Sequence, residues 1–274
     1  MEMEFWGVRG SVPVSGKDVV KYGGHTLCTF LRPSAGGWLI IDAGTGIRRL
    51  GEKLMADAGA ARLRVDILLT HFHLDHIIGL PFFAPLYSPR AAITFHSPAA
   101  PKETERYLSG LQAGRFFPVA FKETASRKAF RKLEETGTTV GRLKVSFCPL
   151  IHPQGSVAYR LEEGGRSVVL ATDTEPPEDG FDERLAGFIR NATYFIYDAM
   201  FTPKEYQTRQ GWGHSTWLEG TKLARKAGVK NLVLSHFNPD HDDGRVAEIV
   251  RLAKKEFPRT TGAREGRTLR LDHE

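Results

Sequence analysis

Four coordinating side chains crowd into the stretch LTHFHLDHIIG at residues 69–79: His71, His73, Asp75 and His76. They follow an apolar run ending in DILLT, which places them on a loop leaving the C-terminal end of a buried strand. Imidazoles at positions i and i+2 of an extended segment point to one side and can chelate one ion. Asp75 and His76 then turn elsewhere. Four ligands so close together strain a single tetrahedral site, so two neighbouring ions divide them more easily.

Further donors stand where other apolar runs give way to polar loops: His152 after VSFCPLI, Asp173 after SVVLAT and His236 after NLVLS. His236 lies in an echo of the first stretch, LSHFNPDHDDG at 234–244. Aligning the two pairs Leu69 with Leu234, His71 with His236, Phe72 with Phe237, Asp75 with Asp240, His76 with His241 and Gly79 with Gly244. Such an echo marks internal duplication or two related strand-to-loop units facing one another.

Short apolar or alternating runs predict the strands that carry these donors: EFWGV, HTLCTFLRP, GWLIIDAG, RVDILLTHF, AAITFHSP, KVSFCPL, SVAYRL, SVVLATD, YFIYDAMF and NLVLSHF. Helical spacing is clearest over 245–257, where Val246, Ile249, Val250, Ala253 and Phe257 share a face. Segments 46–58, 101–112 and 216–227 follow the same pattern. Glycine and proline punctuate nearly every junction, so the expectation is a mixed α/β chain, many of its strands joined as hairpins, forming one domain over residues 1–274.

Composition agrees with a sizeable buried core: 41% of the 274 residues are apolar and 26% charged. No apolar run approaches the roughly 18 residues of a membrane span, and the N-terminus has no apolar stretch behind a basic region. Cys28 and Cys148 are far apart and lack CxxC spacing, which fits a reducing compartment. A soluble, cytoplasmic protein without a membrane partner is expected. The formal net charge is +6, with arginines and lysines gathered over 251–270. That balance either draws in anionic ligands or gives only a solvated basic face.

The order HxHxDH, then His152, Asp173 and His236, resembles the metallo-β-lactamase superfamily, and the resemblance runs from FWGVRGS to HFNPDHDD. It implies a four-layer αββα sandwich and a two-metal hydrolase. Carried over position by position, it gives His71, His73 and His152 to one metal and Asp75, His76 and His236 to the other, with Asp173 bridging. Neutral imidazoles and carboxylates suit two zinc ions, with manganese or iron as alternatives. Asp240 and His241 receive no ligand role. A redox role is disfavoured because His73 stands where an acid would be expected.

GWGHSTW at 211–217 and DAMF at 198–201 are similar to motifs of the tRNase Z-like phosphodiesterase branch, which includes a phosphodiesterase of the carbon–phosphorus lyase pathway. They imply His214 as general acid or phosphate stabiliser and Asp198 as its orienter, with Asp75 also counted among the catalytic residues. The implied activity is hydrolysis of a small or cyclic nucleotide-like phosphodiester. Hydrolysis of a thioester, lactam or lactone, or metal binding without turnover, are the alternatives. Arg9, Ser11 or His25 are candidates for touching a substrate phosphate, and LQAGRFFPVAFKE at 111–123 for shaping the pocket. His96 and His273 have no partner pattern. Only residues 153–172 separate His152 from Asp173, where tRNase Z carries a long arm. This argues against a dedicated tRNA substrate; a homodimer is the remaining partner expectation, since dimers are common among such proteins.

Overall fold

In the run Leu39–Ile41, Leu39 and Ile41 enter one apolar core while Ile40 enters another. That period of two is what a strand covered on both faces requires. The computed structural model describes residues 1–34, 36–178 and 180–271, so His273 lies outside the described residues.

Among the described residues two seven-stranded sheets form. The first contains β1 (Glu2–Gly7), β2 (Cys28–Arg32), β3 (Leu39–Ile41), β4 (Leu63–Leu68), β5 (Ala91–Ser97), β6 (Arg127–Lys132) and β14 (Thr268–Arg270), in the order β14-β1-β2-β3-β4-β5-β6. The second contains β7 (Thr138–Val140), β8 (Leu143–Leu150), β9 (Ser156–Glu163), β10 (Arg166–Ala171), β11 (Tyr194–Asp198), β12 (Asn231–Ser235) and β13 (Thr260–Gly262), in the order β13-β12-β11-β10-β9-β8-β7.

Helices cover the outer faces. Ile47, Leu50 and Leu54 of α1 (Ile47–Ala58) share an apolar cluster with Ile40, Ile67, Ile93 and Phe95 of the first sheet. The short α2 (Leu74–Ile77) follows β4, and α3 (Pro101–Leu111) adds Leu108 to the same cluster. The second sheet packs against α4 (Glu183–Phe188), α6 (Trp217–Lys226) and α7 (Asp243–Glu256), while α5 (Pro203–Tyr206) lies in the connection after β11. Inner residues such as Met3, Phe5 and Leu31 meet Tyr159, Leu161 and Leu170 in the remaining cluster. The result is the four-layer αββα sandwich.

All ten sequence-expected strands form, as do the four helical segments, to within two residues at each helix end. The hairpin expectation holds for β1–β2–β3 and β7–β8–β9–β10, which pair antiparallel. Elsewhere β3–β4–β5–β6 and β10–β11–β12–β13 pair in parallel, through crossovers that contain helices. Parallel strands point their C-terminal ends the same way, and open α/β sheets collect ligand-binding loops there.

Gly79, the last residue of the first histidine stretch, locks that loop against the sheet. Its φ of −76° is ordinary, but a Cβ there would stand 2.1 Å from the Gly44 carbonyl oxygen. Its own N–H donates to the Ala43 carbonyl at 2.9 Å. Gly79→Ala must push backbone away from backbone, an overpacking cost of about 1–3 kcal/mol. Thermal unfolding of this variant is expected to fall by several °C; an unchanged Tm would contradict the close approach.

Candidate metal centre

Each donor anticipated from sequence sits just past a strand C-terminus: His71, His73, Asp75 and His76 after β4, His152 after β8, Asp173 after β10 and His236 after β12, with Asp198 closing β11. The fold brings them together. His71, His73 and His152 form one group of converging donor atoms, and Asp75, His76, Asp173 and His236 form another. Asp173 and His236 also converge with Asp198 and His214.

The imidazoles are set by what holds their far side. His71 Nδ1 lies 3.1 Å from Thr70 Oγ1, and His73 Nε2 lies 3.0 Å from Gln154 Oε1. His76 Nδ1 lies 2.8 Å from Asp42 Oδ2, and His152 Nδ1 lies 2.8 Å from the Gly213 carbonyl. His236 Nδ1 stands 3.3 Å from Asp198 Oδ2 without forming a hydrogen bond, while its Nε2 faces the cluster, 3.4 Å from Asp75 Oδ2 and 3.3 Å from Asp173 Oδ1. A partner on one ring nitrogen turns the other toward the cluster, where His73 Nδ1 and His152 Nε2 lie 3.1 Å apart. The inner nitrogens are therefore Nε2 of His71, His76, His152 and His236 and Nδ1 of His73.

The inner atoms fit a cation. His71 Nε2, His76 Nε2 and Asp173 Oδ2 are buried and have no hydrogen-bond partner. His76 Nε2 and Asp173 Oδ2 are 3.1 Å apart, close but not directed as a hydrogen bond. Unpaired buried polar atoms cost about 1–3 kcal/mol each, and divalent cations are the groups that imidazole and carboxylate together would satisfy.

Burial opposes charge on His76 and His236, but nearby carboxylates outweigh it. Asp173, Asp75 and Asp42 hold His76 well above the usual imidazole range, and Asp173 and Asp198 push His236 up to about 10. Burial would likewise raise the carboxyls, yet the histidines win: Asp75 and Asp173 lie below the usual carboxylate range, and His214 and His236 hold Asp198 down to about 2. His71 and His152 are lowered by burial.

His214 Nδ1 lies 3.1 Å from Asp198 Oδ2, which leaves its Nε2 for another partner. Asp198 is more heavily used than the sequence suggested. Its Oδ2 also accepts from the Asp173 N–H at 2.9 Å, and its Oδ1 from the N–H groups of Met200 and Ser215. Glu175 fixes the loop before His214, accepting from Tyr206 Oη and Gly211 N on Oε1 and from Gly213 N on Oε2. Gly213 has φ +81°, and a Cβ there would lie 2.2 Å from His152 Nδ1, so only glycine can present that carbonyl.

Six described non-glycine residues have positive φ, and five of them surround this centre: Ser11, Asp42, Gln154, Asp173 and His236. Left-handed backbone costs of order 1 kcal/mol per residue and persists where the surroundings fix it. Asp42, Gln154 and Glu175 were not singled out from sequence. Asp42 carried a usable signal, because it too follows an apolar strand, in LIIDAG.

Other candidates fall elsewhere. Arg9 is wholly buried, and its guanidinium donates to the carbonyls of Gly23, Asn238 and His241, so it braces the loop after His236 rather than facing the centre. Ser11 approaches through its backbone, its N–H donating to Asp75 Oδ2 at 2.8 Å. His25 meets Thr45 Oγ1, His96 meets Asp66, and His241 meets Glu205. In 111–123, Phe121 is buried, Phe116 is exposed and Phe117 packs edge-on against Phe82.

The description "Beta-lactamase superfamily domain" matches residues 37–237. A protein named Ribonuclease Z from Bradyrhizobium sp. (strain ORS 278) is 28% identical, covering 94% of this chain and 96% of its own. A solved structure described as a new diphosphatase from the PhnP family superposes with a TM-score of 0.69 at 19% identity, over 99% of this chain and 98% of that one. The short form of human tRNase Z superposes with a TM-score of 0.65 at 19% identity, over the whole of both chains. These relatives overturn the expectation that a dedicated tRNA substrate is ruled against. That expectation rested on the short connection between His152 and Asp173, filled here by β9 and β10. A missing arm removes one contact surface but leaves the strand-end donors in place.

Two outcomes follow from the geometry. His236→Ala should sharply lower the metal content of the purified protein, whereas His241→Ala should barely change it; the reverse would mean that His241 supplies the donor. Because neighbouring carboxylates raise His76 and His236 above the usual imidazole range, a cation competes with protons there, so metal binding is expected to release protons and affinity to rise with pH. Calorimetric titration with zinc near pH 6 and pH 8 in two buffers would contradict this by showing no proton release and equal affinity.

Proposed function

The chain belongs to the metallo-β-lactamase superfamily, and from that premise we propose that it is a metal-dependent phosphodiester hydrolase with two divalent cations. His71, His73 and His152 would hold one ion, Asp75, His76 and His236 the other, and Asp173 would bridge them. Zinc suits this donor set best, with manganese or iron as alternatives. When bound, the ions supply Lewis acidity toward a phosphoryl oxygen and a nucleophile at neutral pH. We take residues 1–274 as one hydrolase domain, a reading supported by the pairing of β14 with β1.

The observation that carries the proposal is the His214–Asp198 pair beside the ligand cluster. Phosphodiester cleavage expels an alkoxide, which needs a proton. Asp198 Oδ2 accepts from His214 Nδ1 and fixes the ring's orientation, so Nε2 is left to donate to the leaving oxygen. Glu175 and Gly213 hold the loop that aims this ring. A thioester or lactone hydrolase needs the same ligands but has less use for a fixed acid. The net charge of +6 supports attraction of a phosphate-bearing substrate.

The substrate is a nucleotide phosphodiester, a class that spans RNA precursors and small or cyclic nucleotides; the relatives named Ribonuclease Z support it. No described helix is long and apolar enough to cross a membrane. Cys28 and Cys148 are both free and buried, which supports a reducing, cytoplasmic setting.

A panel of precursor tRNA, 2′,3′- and 3′,5′-cyclic nucleotides and bis(p-nitrophenyl) phosphate should show chelator-sensitive cleavage. Turnover of thioesters, lactams or lactones alone would sink the reading. His214→Ala should lower kcat on a phosphodiester with a poor leaving group by about 10²–10⁴-fold and spare p-nitrophenolate release, with metal content retained. Equal loss on both substrates would remove the proton-donor role.

A further inference from the structure

Beside the first histidine group lies a cavity of about 530 Å³, with His71 and His73 among its lining residues. Phe72, between those two histidines, and Tyr107 of α3 also line it, their ring centroids 4.8 Å apart and tilted by 45°. Tyr107 is 40% exposed, and the Arg106 guanidinium lies 4.8 Å from its ring centroid. The polar part of the lining includes Glu103 and Gln154. Glu103 uses Oε2 to accept from the Ala100 N–H, leaving Oε1 as an acceptor. Gln154 uses Oε1 toward His73, leaving its amide nitrogen as a donor.

We propose that this cavity is a nucleobase subsite, in which the base of a nucleotide stacks on Tyr107 while its phosphate lies at the metal centre. The inference rests on the phosphodiesterase reading and names the part of the substrate recognised beyond the phosphate. An aromatic face next to a carboxylate and an amide matches a heteroaromatic ring with donors and acceptors on its edge. An acyl chain would leave those polar groups unused. Stacking is tolerant of base identity because every base presents a π-face. Because His71 and His73 belong to both the cavity and the ligand set, a base seated there is linked to the centre by its own sugar and phosphate.

Calorimetric titration of the zinc-loaded protein with AMP and with ribose 5-phosphate tests this directly. AMP should bind about ten-fold more tightly. Tyr107→Ala should abolish that advantage without changing the affinity for ribose 5-phosphate, and Tyr107→Phe should keep it. Equal affinity of the two ligands for the unaltered protein, no binding of AMP, or an AMP advantage that survives Tyr107→Ala would each overturn the subsite. Binding is read without turnover. A protein that binds AMP through Tyr107 but cleaves no phosphodiester would lose the functional reading and keep the subsite.

Discussion

Asp42, Asp75, Asp173 and Asp198 are all buried, and among the described residues their ion-pair partners are histidines alone. Concentrated negative charge in a dry interior is costly unless it is neutralised in place. The carboxylates raise His76 and His236 above the usual imidazole range, so that protons on these rings would offset part of it. Two divalent cations, as proposed, would balance the four carboxylates and return those imidazoles to their neutral, coordinating form. The strand ends, the strained backbone and the outer hydrogen bonds all serve to hold this charge cluster in one arrangement.

The fold solves that positioning problem with parallel strands. β3, β4, β10, β11 and β12 end on one side of the two sheets, so Asp42, the HxHxDH loop, Asp173, Asp198 and His236 are neighbours although they are widely separated in sequence. The echo between the two histidine stretches is a repeated use of the same exit from a strand. In the first copy the exit supplies four candidate donors. In the second, His236 enters the cluster, while His241 turns to Glu205 and its carbonyl is gripped by Arg9. The His76 and His236 rings lie near-parallel with centroids 5.6 Å apart, so the two exits do face one another.

What the sequence made legible follows the physics of each signal. Apolar period and the spacing of His and Asp located ten strands and brought every expected donor to the cluster. The edge strand RKAFRK was missed because its charges mask alternation, and β7, β13 and β14 because three residues carry no period. Outer partners were hidden for another reason. Gln154 and Glu175 act through hydrogen bonds across the fold, and nothing local marks them. Arg9 was an open candidate because a lone arginine in a glycine-rich segment resembles a phosphate contact, whereas its Nε and Nη1 donate to backbone carbonyls. The length of one connection said nothing decisive about tRNA, because contact surfaces vary independently of the chemistry at the strand ends.

The central claim is that this buried charge cluster is built around two divalent cations. Counting metal ions per chain by native mass spectrometry, on protein purified without chelator, tests it most directly. The account predicts two ions bound to the unaltered chain. A single ion, or none, on folded protein exposed to excess zinc would contradict it.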